Sequence, residues 1–480
     1  MVRIDGGEML VRMLDQEGID TLFVLHGGHL DALLQAAVRH DMRLVDTRHE
    51  QAAGHAADGW ARTTGRTGVA VVTAGPGFTD CVTAIANAYL DCIPTLFIAG
   101  AAPLAEAETL PLQGGLDQIA MVEPITKWAH RVTHTHRIPD LVAQALRTAR
   151  SGRPGPVVLE VPIDILFATA EEASLAVPAT VMTAAPPTPG REVIDEILGR
   201  LASADRPAIY VGGGAWFSGG ESELVAFAER TGIPVFMNSK ARGMVPAAHR
   251  LCGGGFTSLA MAPMIGAEST DCLLVMGGRL GLFTGGRGDM MIPADAAVIQ
   301  VDIAAEEIGR NRDIDIGVAA DCRETLRLLE VAAAQRDWPD WSGWLETVTM
   351  LGQGADVMFG DALAATEAPI HPYRLAHEIA AALPSETVLT VDGGETATLS
   401  EQYEHASATN ANGDEVLSNQ LLPGGGYELL FYNVDLTEEL TVNPVGAEGV
   451  TDCNLRVPGT LYPVEAKFAT SVGAVCTSIP

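Results

Sequence analysis

The side chains best placed for chemistry begin with Glu50, which lies where a strand gives way to a helix of small residues, Gln51–Ala57. Packing a helix on a sheet explains the alanines but not the acid. The carboxylate either satisfies free N–H groups at the helix start or meets a ligand. His26 and His29 enclose two glycines in the loop HGGH. Histidine titrates near neutrality, which suits a proton relay; the bland alternative is a solvated pair or a helix cap. Gln113 precedes two glycines in LPLQGGLDQIA. A neutral amide can donate to a developing alkoxide without titrating, although alone it is an ordinary loop glutamine.

These residues need strands to deliver them. Thr21–Leu25 reads as a strand feeding the histidine loop, and Leu30–His40 as the helix after it. Val69–Val72 and Thr95–Ala99 are short, β-branched and closed by Gly75 and Gly100, which suits parallel strands buried on both faces. A loop after the carboxyl end of such a strand is where open α/β sheets bind ligands. Gly7–Glu17 carries Met9, Leu10, Met13 and Leu14 on one helical face, Ala143–Arg150 is helical, and Gly155–Val161 holds the strand PVVLEV. Pro162-Ile163-Asp164 closes this first domain, residues 1–165.

Pro178–Pro189 is rich in Pro, Ala and Thr and reads as a linker. Beyond it, helices at Glu192–Ala204 and Leu224–Thr231 alternate with strands at Ala208–Val211, Val235–Met237, Cys272–Met276 and Val298–Val301, predicting a Rossmann-like middle domain over 190–330. Its turn GGGAWFSGG lacks the GxGxxG spacing of a dinucleotide site. A third α/β domain starts within about 355–400, with the helix Tyr373–Ala382, the strand Thr387–Val391 and the loop Asp392–Thr396. Residues 404–480 form a strand-rich tail unlike the rest, with strands expected at Tyr427–Val434, Glu439–Val442 and Leu461–Phe468. The fold class is therefore α/β throughout, with doubly wound parallel sheets, ending in that tail.

The 480 residues are 47% hydrophobic, ample for several cores, and carry a net charge of −31, which argues against nucleic acid or an anionic membrane as partner. Seven cysteines form no CxxC pair, so neither a disulfide frame nor a zinc site is indicated. Acids at the N-terminus and the lack of a long apolar run predict a cytoplasmic protein.

His49-Glu50, Ala52-Ala53, Ala56-Ala57-Asp58-Gly59-Trp60-Ala61-Arg62, Thr73-Ala74-Gly75-Pro76-Gly77 and Asn87-Ala88 occur in order within a short span. Together they resemble the pyrimidine-binding domain of thiamine-diphosphate enzymes of the acetolactate synthase and benzaldehyde lyase group. The histidines of the HGGH loop bring the resemblance closest to benzaldehyde lyase, over about residues 1–400. It implies that Glu50 hydrogen-bonds the aminopyrimidine ring and favours the tautomer that makes the thiazolium carbon a nucleophile. It further implies that His29 relays the substrate proton, that Gln113 and His26 orient oxygens, and that Thr73, Gly75, Pro76, Gly77, Gly393 and Gly394 contact the cofactor.

The implied cofactors are thiamine diphosphate and Mg²⁺, but no metal ligand is assigned, because the Gly-Asp-Gly motif that holds the cation is not found; Gly413-Asp414-Glu415 departs from it. The diphosphate-binding domain is expected to be truncated or replaced after about Leu399, and cofactor binding by this chain alone to be weak. The implied activity is carbon–carbon lyase or carboligase chemistry on 2-hydroxyketones and aldehydes. The alternatives are an acetolactate synthase-like enzyme of 2-oxo acids and a non-catalytic remnant. A homodimer or homotetramer is implied for any intact form.

Overall fold

The computed structural model describes residues 2–175, 178, 184–281, 284–366, 370–382 and 388–391, and beyond them short strands at 417–419, 429–432, 441–442, 453–456, 464–466 and 474–475. The chain divides into two compact units, Met1–Ala185 and Pro186–Pro480.

The first unit is built on strands β2 (Thr21–Val24), β3 (Arg43–Asp46), β4 (Gly68–Val72), β5 (Thr95–Ala101), β6 (Trp128–Arg131) and β7 (Val157–Pro162), after a short β1 (Arg3–Asp5) that pairs antiparallel with β8 (Thr169–Glu171). They form a six-stranded sheet in the order β3-β2-β4-β5-β7-β6, parallel throughout. β4 and β5 are buried along their whole length, with Val69 opposite Leu96 and Val71 opposite Ile98. Helices on both faces cause this burial, and each large aliphatic side chain so covered contributes roughly 1.5–3 kcal/mol.

Those helices are α1 (Gly6–Gln16), α2 (Asp31–Arg39), α3 (Glu50–Thr64), α4 (Pro76–Asp91) and α6 (Ile138–Arg150), with short α5 (Gln118–Val122) and α7 (Ile163–Phe167). α1 turns Met9, Leu10, Met13 and Leu14 inward as its spacing predicts. α3 outruns the expected Gln51–Ala57 and stops only where Gly65 takes φ +66°. Its buried face is Ala53, Gly54, Ala57 and Ala61. A Cβ on Gly54 would lie 2.5 Å from that of Ala84 on α4, so the two helices meet at nearly backbone distance.

The second unit holds α8 (Arg191–Ala202), β9 (Pro207–Val211), α9 (Gly213–Phe217), α10 (Glu221–Thr231), β10 (Val235–Met237), β11 (Cys252–Gly255), β12 (Cys272–Met276), β13 (Ala297–Asp302), β14 (Ile316–Ala319) and α11 (Cys322–Ala333). Its parallel six-stranded sheet runs β11-β10-β9-β12-β13-β14, the strand order of doubly wound dinucleotide folds. β11 is unforeseen because CGGG has no strand propensity; its register shifts beside Val235 and Phe236. α12 (Ser342–Ala364) and α13 (Pro372–Ala382) follow. Strand β15, Val388–Val391, then enters a mixed five-stranded sheet with 417–419, 429–432, 453–456 and 464–466. The tail is thus strand-bearing as expected, while the loop with Gly393 and Gly394, and Gly413–Glu415, lie outside the described residues.

The glycine turn after β9 has a local explanation. The Gly214 N–H donates to the Gly277 carbonyl at 2.9 Å, and a Cβ on Gly214 would lie 2.8 Å from Gly277 Cα. The glycines let this turn press against the end of β12, backbone on backbone.

Candidate functional site

In the first sheet the chain steps from β2 outward to β3 and then returns to β4 on the other side, so a crevice opens at the carboxyl ends of β2 and β4. The residues singled out above gather around it. His49, extended at φ −155°, caps α3 by accepting from the Gln51 N–H through Nδ1 at 3.2 Å. That leaves Glu50 at the first helical position, where the helix dipole favours its anion. Glu50 is half-buried, and no described residue donates a hydrogen bond to its carboxylate. It faces the start of α4, since a Cβ on Gly77 would stand 2.9 Å from Oε1 and 2.6 Å from Thr73 Cγ2. Burial first, and the Glu50 charge second, push the neighbouring Cys81 thiol far above its usual range.

Thr73 closes β4. Its Oγ1 lies 3.3 Å from His29 Nδ1, and both side chains are buried at 8% exposure. His29 sits in the single 3₁₀ turn Gly28–Leu30 rather than in an open loop. Burial lowers its pKa, with a smaller opposing effect from a hydrogen bond to the backbone of Leu112, so the imidazole is neutral at physiological pH. His26 stands apart. It is exposed, with Nε2 2.8 Å from Asp31 Oδ1.

Gln113 comes to the crevice on the segment after β5. The Gly114 N–H donates to the Pro111 carbonyl at 2.7 Å, and Gln113 takes φ +61° in the turn so formed, a place that usually holds glycine. A non-glycine residue there costs about 1–2 kcal/mol, and such strain clusters at functional sites. Its Cβ lies 3.0 Å from where a Cβ on Gly75 would be, and Gly75 itself has φ +62°. No described residue hydrogen-bonds the Gln113 amide. Pro76, the first residue of α4, is exposed.

Sequence reasoning missed Gln118, which holds the Gly75 N–H, and Glu160, which holds Gln118. Gln118 reads as an ordinary helix start behind its cap, Asp117. Glu160 had a signal, a lone acid in the buried strand PVVLEV. His49, Glu50 and Asp80 bring one ligand atom each within 4.8 Å of one another, but two of the three are exposed and the third is the crevice carboxylate.

Chemically, the crevice offers an unpaired carboxylate, a neutral imidazole backed by a hydroxyl, and a free amide. The orphaned carboxylate is the test of fit for a cofactor ring. A half-buried anion with no donor is poorly satisfied, and a ring N–H or amino group would supply what it lacks.

Residues 4–121 match the description "Thiamine pyrophosphate enzyme, N-terminal TPP binding domain", and residues 194–329 match the central domain of the same enzymes. A probable acetolactate synthase of Mycobacterium bovis is 33% identical over 393 residues, spanning 81% of this chain and 69% of the relative. The acetolactate synthase large subunit of Corynebacterium glutamicum is 36% identical over 376 residues, 75% of this chain and 59% of the relative. The acetolactate synthase isozyme 1 large subunit of Escherichia coli K12 is 33% identical over 406 residues, 82% and 68%. All three are acetolactate synthases by name, so the expected closeness to benzaldehyde lyase finds no support among them.

Proposed function

The chain belongs to the thiamine-diphosphate-dependent enzymes, and on that premise we propose that its first unit holds the activating end of the cofactor and serves a carboligase of 2-oxo acids like the acetolactate synthases it resembles. The observation that carries the site is the half-buried Glu50 carboxylate without a donor, set at the crevice of β2 and β4. When bound, thiamine diphosphate supplies a nucleophilic carbon that adds to a carbonyl and stabilises negative charge there. Glu50 would accept a hydrogen bond from the pyrimidine ring, and Thr73, Gly75, Pro76 and Gly77 would stand along one side of it. Gln113 donates its amide N–H to the oxygen on which charge develops. Mg²⁺ would accompany the diphosphate of the cofactor, and Gly393 and Gly394 are proposed contacts of the cofactor, not of the ion.

A second reading, cleavage or ligation of 2-hydroxyketones and aldehydes, is favoured by His29. A buried neutral imidazole held by Thr73 can take a hydroxyl proton, which a hydroxyketone lyase needs and a 2-oxo acid decarboxylation does not. His26, paired with Asp31, stays outside that role unless the pair opens. Turnover of pyruvate against benzoin, with thiamine diphosphate and Mg²⁺ added, separates the readings. Pyruvate consumption alone supports the first, benzoin cleavage alone the second. His29→Ala should lower benzoin turnover by roughly 10²–10⁴-fold and leave pyruvate turnover much less affected.

Relatives named as large subunits support an assembly of more than one chain. We propose a homodimer or homotetramer, which a monomer in sedimentation would contradict. Among the described residues no helix is long and apolar enough to cross a membrane. The buried thiols Cys81, Cys272 and Cys322, which form no disulfide, support the proposal of a cytoplasmic location.

A further inference from the structure

Gln118 opens α5 with 3% of its surface exposed, and each end of its amide is engaged. Oε1 accepts from the Gly75 N–H at 2.7 Å. Nε2 donates to the Gly100 carbonyl and to Glu160 Oε2, both at 3.0 Å. Glu160, 1% exposed in β7, is in turn hydrogen-bonded by the Arg131 guanidinium of β6. One amide therefore ties the turn after β4 to the end of β5 and to β7. What it ties is the wall of the crevice: Gly75 abuts Gln113, and a Cβ on Gly100 would lie 2.8 Å from His29 Cβ.

We propose that Gln118 is a positioning residue that sets the gap between His29 and Gln113, resting on the reading of those two as substrate-facing groups. The requirement is for an amide with its oxygen toward Gly75 and its nitrogen toward Gly100 and Glu160, because only that orientation gives every partner a complement. Leucine fills the volume and loses all three bonds. A glutamate keeps the acceptor for Gly75, but when ionised it has no donor for Gly100 and meets the Glu160 carboxylate head on. That repulsion raises the acid's own pKa, and once protonated it regains one donor. The two replacements thus distinguish filling of space from the proposed bonding.

The test is amide hydrogen exchange on the full chain without cofactor, comparing wild type, Gln118→Leu and Gln118→Glu, with protection in α1, α2 and β2 of the same unit as the folding control. Above neutrality, exchange at Gly75 and across residues 113–118 should quicken by about tenfold or more in both variants. On acidification, after correction for intrinsic rates, Gln118→Glu should return toward wild-type protection while Gln118→Leu does not. In the opened site His29 regains water, so in Gln118→Leu its imidazole should titrate higher than in wild type, back toward the ordinary value of about 6.5. If Gln118→Leu fails to fold, Gln118→Glu, which refolds its contacts in acid, decides alone. Exchange within about twofold of wild type in Gln118→Glu above neutrality, or a change that acid does not reverse, overturns the proposal. Since no cofactor is present, a chain that binds no thiamine diphosphate still decides it. Conversely, pyruvate turnover with an unaltered turn would leave the proposed function standing and remove this one.

Discussion

The two parallel sheets share one topological feature and finish it differently. Each has a point where successive connections leave in opposite directions, between β2 and β4 in the first unit and between β9 and β12 in the second, and such points open a crevice for ligands. In the first, side chains with polar tips gather around the strand ends: Glu50, His29, Thr73 and Gln113. In the second, Gly214 and Gly277 close the gap, and the helix-start N–H that could meet an anion is already bonded to a carbonyl. Strand order says where a crevice can form, and the few residues at its rim decide whether one exists.

The comparison would break most visibly at Glu50. Glu50→Gln keeps the volume but holds the ring far less strongly, and turnover should fall by roughly 10²–10⁴-fold with the melting temperature nearly unchanged. A variant that keeps its rate would move the chemistry elsewhere. Next in size is the cofactor itself. With a net charge of −31 and no Gly-Asp-Gly in the sequence, the chain alone should take up thiamine diphosphate weakly, each ~1.4 kcal/mol lost being tenfold in affinity. Calorimetric titration with Mg²⁺ checks this, and a micromolar, Mg²⁺-dependent Kd would show that the metal site is supplied after all.

In the second sheet the effect should be on stability instead. Gly277 has φ +60°, and a Cβ there would lie 2.6 Å from Ala215 N, so Gly277→Ala should cost about 2–4 kcal/mol in urea unfolding of that unit. Cofactor binding heats should stay as they were. The smallest effect is the titration of His29. Its folded pKa is depressed by burial, so the unfolded chain takes a proton that the folded chain refuses. The stability it contributes is complete above the ordinary imidazole value of about 6.5 and is lost as pH falls through that value toward the folded one. His29→Asn should flatten this acid limb of the stability curve, and imidazole proton NMR should place the folded pKa below 6.5.

Much of the crevice was legible because its residues sit just past strand ends: Thr73, Gly75 and His29 follow apolar runs that stop at glycine, and Glu50 opens the helix after β3. Gln113 could be read as a loop amide, but its left-handed backbone could not, since that comes from the turn closed by Pro111 and Gly114. Gln118 was invisible for a different reason. Its partners, Gly75, Gly100 and Glu160, are brought to it by the order of strands in the sheet, and no local spacing encodes them. β11 was missed because its pairing with β10 overrides the poor propensity of CGGG. The resemblance makes His26 an orienting group for substrate oxygen, whereas its outward pairing with Asp31 is a short-range contact that the sequence did contain.

The face of α3 has a further consequence. Ala53, Ala57 and Ala61 are wholly buried and have no rotamers to change, and Gly54 brings the helix to near backbone contact with α4. A leucine-lined interface can absorb a small error by turning side chains, but a face of methyl groups and bare Cα atoms cannot. Wear at this joint would therefore appear as displacement of the whole helix, with Glu50 carried at its tip. A single added methylene anywhere along the face would act as a wedge under the arm that holds the acid. Random mutagenesis should accordingly return lesions in cofactor chemistry from alanines that never approach the cofactor.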